Sequence, residues 1–482
     1  MSSSPPSIAL TTSSPVRITS IVGFLVVTEL ASGITQGWIA PLLPSFIQRY
    51  GLTSADANWI TASALLATVV LVPLLSKLGD VYGHKRLLVA AATLVALGSV
   101  IVALAPPFPV LLVGRIFQGA ITAFLPLEFA IVRERAGDRA GRAIGLLVGS
   151  LTVGASLGLL LAGVARQYLS LSATLWLPAI MMLIVAPVLA RLVPETTVRK
   201  PGGIDWPGAA LLGIGLLLFL AAVGNGTRWG WLNPWILGGL FSGVVLLVIW
   251  VYVEDRTENP LVPLDAIRRG GQGLPLLTAF VFGAHLFGSS TPNAVFLGTR
   301  PAVGGFGMSL AGTALGAALL VLGAAMFLGT TIASRLTDLI GETSTLVTGA
   351  LLSAVCYLAT AAFHHDLTVF LIWQAGLGLG GGLVGATLPT IIVARAPADS
   401  VGIVSGLYNT ARTAAGSVAG AVFAAVMSAL ILTRHSPGGR TVTVSSESAY
   451  VVVWLICAVL ALIVAVLAIG VTRRGHRIAE PA

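Results

Sequence analysis

The sequence predicts an all-α integral membrane protein of fourteen helices, and three observations predict it. Of its 482 residues, 56% are apolar and 9% charged, against roughly 45–50% and 25% in a soluble domain. Mean hydropathy is +0.96, and the apolar residues gather in runs of about 20, the length that crosses a bilayer as helix. Basic residues concentrate in alternate loops, the asymmetry that orients such helices. The solvent that suits this surface is lipid.

Residues 1–17 are rich in Ser, Thr and Pro without an apolar segment, so they read as a disordered tail and not as a signal peptide. Apolar runs then follow near 18–43, 57–77, 86–105, 109–134, 141–165, 173–193, 205–224, 234–253, 274–298, 309–334, 344–363, 367–393, 401–432 and 448–471. Turn chemistry separates them: Pro106-Pro107 and Pro109, Val193-Pro194-Glu195, Pro201-Gly202-Gly203, Asn259-Pro260 and Ser436-Pro437-Gly438-Gly439. An even number puts both termini on one side. With the amino terminus inside, the inner segments carry 19 Lys and Arg and the outer ones six, which places both termini, including a tail at 472–482, in the cytoplasm.

The formal charge of +9 is therefore mostly an orientation signal and not a nucleic-acid footprint. None of the three lysines, Lys77, Lys85 and Lys200, stands in a GxxxxGK[ST] loop, so no ATPase is expected in this chain. Neither HExxH nor an Asp-rich diphosphate motif appears, which argues against an enzyme. Cys356 and Cys457 both lie inside apolar runs, so neither a disulfide frame nor a metal site is expected.

The loop after the second run reads Lys77-Leu78-Gly79-Asp80-Val81-Tyr82-Gly83, and the loop after the tenth reads Arg335-Leu336-Thr337-Asp338-Leu339-Ile340-Gly341. The offset, 258 residues, also carries the starts of runs 1, 3, 4 and 5 onto those of runs 9, 11, 12 and 13. Repeats of this kind build transporters. Runs 7 and 8 have no mate. The expected organisation is a six-helix bundle over 18–193, an inserted pair over 205–253 and a second six-helix bundle over 274–471, its last loop lengthened around Ser436 to Glu447.

This arrangement resembles the major facilitator superfamily, and the fourteen-span form resembles its drug:proton antiporter subfamily. Leu78 to Arg86 is similar to the family's signature loop, which implies a gating role for Gly79, Asp80, Gly83, Lys85 and Arg86, with Asp338 in the repeat. Leu111 to Gly119, with Arg115, Gln118 and Gly119, resembles the fourth-helix motif whose arginine assists proton coupling. Gly149, Gly154, Gly158 and Gly163 follow the antiporter glycine pattern, with Leu159 where a proline is usual. Asp205-Trp206-Pro207-Gly208, Trp229-Gly230-Trp231 and Gly406 to Arg412 complete the likeness. One departure concerns the proton site: the subfamily's first-helix aspartate, nine residues before a proline, falls on Thr35 here, and the acid in this helix is Glu29.

Only Glu29 and Glu128 among 18 acids lie well inside runs, with Arg115 and Arg412 as the intramembrane cations. A charge there costs about 2.5–3.5 kcal/mol on the insertion scale, so such residues pair or titrate. Counted from the rims at 1.5 Å per residue, Glu29 and Arg115 fall within about 4 Å of one depth. Glu29 is expected to alternate between a proton and a charge partner: Arg115, Arg412 or the substrate. The alternative is a permanent Glu29–Arg115 bridge that fixes helix packing. Glu128 is expected either to pair with Arg133 at the rim or to carry a second proton. Gln36, Trp38, Gln118, Phe124, His285, Phe287, Asn293, Gln374, Tyr408 and Asn409 are candidates for a mostly apolar substrate cavity.

The expected function is proton-coupled export of a small amphipathic molecule by alternating access. It would be driven by the proton gradient without a cofactor or nucleic acid, by a monomer in the plasma membrane. Because Arg115 and Arg412 offset the acids, a neutral or anionic substrate fits as well as a cation. An importer or exchanger on the same fold, and a transporter-like receptor, remain the alternatives.

Overall fold

A backbone in hydrocarbon must satisfy its own hydrogen bonds, so apolar runs of this length become helices. In a computed structural model, the structure describes residues 15–50, 54–104, 107–197, 205–257, 260, 271–299, 301, 305–310, 312–397, 401–435 and 441–479. In the first half of the chain lie α1 (Pro15–Gly37), α2 (Ser54–Tyr82), α3 (His84–Ala103), α4 (Phe108–Ala136), α5 (Ala140–Tyr168) and α6 (Leu171–Leu192). Next come α7 (Trp206–Trp229) and α8 (Pro234–Glu254), on the two runs for which the sequence offset gives no mate. α9 (Gly273–Gly298) follows, and then a helical run, Gly312–Ala362, that turns at Gly341 into α10 (312–340) and α11 (342–362). α12 (Leu367–Arg395), α13 (Val401–Ala429) and α14 (Glu447–Ala479) complete the set. Among the described residues, thirteen helical segments are long and apolar enough to cross a membrane. The one over Thr313–Ala362 spans 50 residues and turns at Gly341, so its two arms, α10 and α11, fall on the tenth and eleventh apolar runs.

The repeat is visible in the backbone. Gly83 has φ 109° and ψ 132°, and Gly341, 258 residues on, has φ 83° and ψ 162°. Both values lie where side chains with a Cβ are strained, so glycine stands at the same corner in both halves.

Two local expectations change. The chain between α13 and α14 is not only loop: β1 (Ile431–His435) pairs antiparallel with β2 (Thr441–Ser445), Ile431 opposite Ser445. The alternating Thr441-Val442-Thr443-Val444 is the β-branched signal for it. Residues 472–479, read as tail, continue α14 as helix. Residues 1–14, Pro201-Gly202-Gly203, Asn259 and residues 436–440 lie outside the described residues.

Two irregularities shape the middle of the bundle. α4 tightens to a 3₁₀ segment at Gly119–Ala123, between its arginine and its glutamate. α9 breaks at Ser289, three residues before Pro292, whose ring blocks a helical bond to residue 288. Close packing holds the rest. α1 and α5 approach so nearly that a Cβ on Gly154 would lie 2.3 Å from the Leu30 carbonyl oxygen. The chain halves meet along α2–α13, at Ser76 and Gly406, and along α5–α10, at Gly149 and Thr330.

Candidate functional site

The middle of the bundle holds charges without satisfied partners. Glu29 on α1 and Glu128 on α4 are fully buried and face each other closely enough to interact directly. None of their four carboxyl oxygens has a hydrogen-bond partner. Ser32 and Arg412 are the other polar neighbours of Glu29. Along α1, Ser32 accepts a hydrogen bond from Gln36 Nε2 at 3.1 Å. Positions 29, 32 and 36 share one helical face, and that polar stripe ends at an exposed Gln36.

Arg412 arrives on α13 from the other half of the chain. Its Nη2 donates to Asn409 Oδ1 at 3.0 Å, and its Nε has no acceptor. The guanidinium carbon lies 5.1 Å from the ring centre of Phe287 on α9 and 5.4 Å from that of Tyr408, within cation–π range. The Tyr408 hydroxyl is buried and unpartnered as well. Asn409 Nδ2 donates across the halves to the Thr122 carbonyl at 3.0 Å, inside the 3₁₀ segment of α4. Four helices, two from each half, thus bring Glu29, Glu128, Arg412, Asn409, Tyr408 and Phe287 together.

Arg115 is not part of this cluster. Its Nε donates to the Ile60 carbonyl at 2.7 Å, and its Nη1 to Gln118 Oε1. Gln118 passes the chain on to Ser99 at 2.8 Å. The expected Glu29–Arg115 bridge does not form, because Arg115 and Glu128 share α4 thirteen residues apart, about 20 Å at helical rise. The depth count from the rims did not hold for this pair: α1 begins at Pro15, and a helix start need not mark the rim. The expected Glu128–Arg133 pair is absent too: Arg133 donates instead to the carbonyls of Ala396 (2.7 Å) and Ala394 (3.3 Å) at the end of α12.

Several cavity candidates are packing residues. Trp38 is buried among Ile39, Leu42 and Ile60, and its Nε1 donates to the Thr174 carbonyl at 3.0 Å. Phe124 is fully buried in the main apolar core. His285, Asn293 and Gln374 belong to a second polar knot within the later half. There Trp454 donates to Asn293 Oδ1 at 2.8 Å, Asn293 to Gln374 Oε1 at 3.4 Å, and the Tyr357 hydroxyl to the His285 carbonyl at 2.8 Å. Apolar length and polar rarity flag such residues in sequence, but the rotation of each helix about its axis decides which of them meet.

The signature loop closes one end of the bundle. Asp80 accepts backbone hydrogen bonds from Gly402 (2.9 Å) and Ile403 (2.8 Å), the first turn of α13, where a carboxylate meets unsatisfied N–H groups and the positive helix end. His84 Nε2 lies 2.9 Å from the same carboxylate. Gly402 makes the approach possible, since a Cβ there would stand 2.6 Å from Asp80 Oδ1. Lys85 and Arg86 contribute through backbone N–H groups that donate to the Glu195 carboxylate at 3.0 and 3.2 Å, capping α3, and the exposed Arg86 side chain adds an ion pair to Glu195 at 3.7 Å. A Cβ on Gly79 would meet Leu127 at 2.7 Å. In the repeat, Asp338 is exposed and bonds no described residue, so the closure is one-sided. Glu195, Gly402 and Thr122 were not singled out from sequence. Glu195 stood in a Pro-containing break, and the other two acquire partners only through tertiary contact.

A family model described as Major Facilitator Superfamily matches residues 25–212 and 206–421. The chain belongs to the Major Facilitator Superfamily, and it is a multi-pass membrane protein. It is 27% identical over 428 residues to an uncharacterized transporter of this type from Mycobacterium tuberculosis, which covers 86% of this chain and 60% of that protein. The chain therefore spans about three fifths of that relative's length. It is 26% identical to the tetracenomycin C resistance and export protein of Streptomyces glaucescens, over 80% of this chain and 72% of that protein. It is 28% identical to the puromycin resistance protein of Streptomyces alboniger, over 78% and 75%. The crystal structure of the human organic anion transporter MFSD10 superposes with a TM-score of 0.66 at 17% identity, covering 95% of this chain and all of that one. That likeness concerns the fold.

Proposed function

We propose that the protein exports a small amphipathic molecule in exchange for protons, with Glu29 and Glu128 as the proton site. The observation that carries this reading is the pair itself: two buried carboxyls facing each other with no donor between them. Like charges in apolar surroundings repel strongly, and a proton held on the pair relieves the repulsion. Arg412 supplies the opposing charge from the other half, so any movement of one half against the other changes how readily the pair keeps its protons.

Exchange requires that substrate and proton oppose each other. A substrate bearing an amine or hydroxyl donor can bind the ionised carboxyls and is displaced when they are protonated, while Phe287 and Tyr408 offer it apolar ring faces. An anion held by Arg412 would instead bind together with protons, which gives co-transport. The antiport reading therefore selects a donor-bearing substrate, and the export and resistance roles in the names of the relatives support that direction. The same reading places the Asp80 end at the cytoplasm, both termini inside, and a monomer in the plasma membrane, with the proton gradient as its energy source and no cofactor.

The test is proton release on substrate addition, measured with a pH dye on purified protein in weak buffer, using puromycin as the donor-bearing probe. The wild type should release protons in proportion to binding, and Glu29→Gln and Glu128→Gln should each bind puromycin with reduced or no release. Unchanged release in both variants would place the proton site elsewhere.

A further inference from the structure

At the end opposite Asp80, the turn between α11 and α12 carries His364 and His365, and the first turn of α14 carries Glu447. Nδ1 of His364 lies 3.1 Å from the carbonyl oxygens of both Thr360 and Ala361, so Nδ1 holds the hydrogen and donates it. Nε2 is then the free face of the ring, and it lies 2.8 Å from Glu447 Oε1. His365 Nδ1 stands 3.4 Å from the same oxygen. A neutral imidazole against a carboxylate sets lone pair against lone pair, and a second ring nitrogen aims at the same point. The geometry is complete only with a positive centre among the three atoms.

Two histidines and one carboxylate are the donors that zinc and its neighbours take, while calcium and magnesium prefer oxygen ligands throughout. The three ligand atoms lie within 4.8 Å of one another. Tetrahedral zinc with bonds of about 2.0–2.1 Å spaces its ligand atoms about 3.3 Å apart. The His365–Glu447 spacing of 3.4 Å already matches, and the His364–Glu447 contact need only open slightly. The bond from His364 Nδ1 to backbone carbonyls is the outer-shell bond that holds metal-bound histidines in orientation. Phe296 and Trp454 rings, 5.6 and 5.2 Å from the imidazole, brace it further. His365 is largely exposed, which leaves the remaining coordination position to water.

We propose that His364, His365 and Glu447 bind one divalent transition-metal ion of the zinc class. The ion ties the start of α14, just past the β1–β2 hairpin, to the α11–α12 turn at the outer rim of the later half. The ligands stand 82 residues apart in sequence, a spacing that signals no metal motif. It is independent of the proton site and of the transport reading.

The test is a titration of untagged, detergent-purified protein with Zn²⁺ against a chromophoric chelator, paired with thermal melting. One equivalent should bind and raise the melting temperature. His365→Ala, an exposed position that leaves the fold intact by its elution profile, should weaken binding at least tenfold and remove the thermal shift. Glu447→Gln should do the same, and where it lowers yield, His365→Ala alone decides. No stoichiometric uptake by the wild type, the result for a proton-bridged His364–Glu447 pair, would overturn the proposal. So would uptake that survives His365→Ala unchanged.

Discussion

The two intramembrane arginines differ in what they hold. Arg412 keeps an unpartnered Nε between two aromatic rings, and a lysine has neither the planar face nor that donor. Arg412→Lys should weaken puromycin binding about 2- to 30-fold by loosening the rings that would hold the substrate, from a cation–π and stacking loss of about 0.5–2 kcal/mol; an unchanged Kd by equilibrium binding would mean that this stacking does not shape the substrate site. Arg115 spends its donors on Ile60 and Gln118. Arg115→Gln should lower thermal stability by about 1–3 kcal/mol, the usual loss for stranded buried partners, while protons released per bound substrate stay the same. A drop in that proton count would return Arg115 to the coupling machinery. All four intramembrane charges were legible in sequence as rarities. Their pairing was not, since thirteen residues along α4 separate two groups that depth counting had put level.

Between elements, charge sign and helix end agree at the closed side. Asp80 meets the amino end of α13, and Arg133 meets the carboxyl end of α12, the two matches that the helix dipole favours. Asp80→Ala removes a buried helix-end contact of up to about 2 kcal/mol, a shift of up to roughly 30-fold toward separation of α2 from α13. Spin labels or cysteine accessibility on either side of the α2–α13 contact should report that opening, and identical distributions in variant and wild type would mean the contact holds nothing. The motif Leu78 to Arg86 announced its loop from sequence, but the cap supplied by Glu195 depends on chain arriving from α6. Within the earlier half, α1 and α5 touch backbone to backbone at Gly33 and Gly154. Gly154→Leu has no room, and should cost stability and transport together even though it alters no charge.

For the whole molecule, the proposed exchange makes substrate and proton compete at the centre the two halves share. A donor-bearing substrate that displaces protons binds more weakly as pH falls, by up to tenfold per pH unit for each proton displaced. Co-transport of an anion gives the opposite slope. Measuring puromycin Kd across pH therefore decides the sign directly, and affinity that rises toward low pH would exclude exchange by this pair.

Sequence alone determined the apolar runs that became membrane-length helices, the 258-residue offset between the two loop motifs and the glycines at their corners, Gly83 and Gly341. Those are properties of length, spacing and backbone freedom, which run along the chain and survive any rotation of the helices. It also named the charged residues inside the apolar runs, Glu29, Glu128, Arg115 and Arg412, because each is costly enough there to stand out. Only tertiary structure decided that Glu29 meets Glu128 and Arg412 and not Arg115, that Trp38 and Phe124 pack into cores, and that His364 and Glu447 meet at the end opposite Asp80. Those outcomes depend on how each helix turns about its axis and slides along its neighbours, and side-chain packing across distant segments sets both.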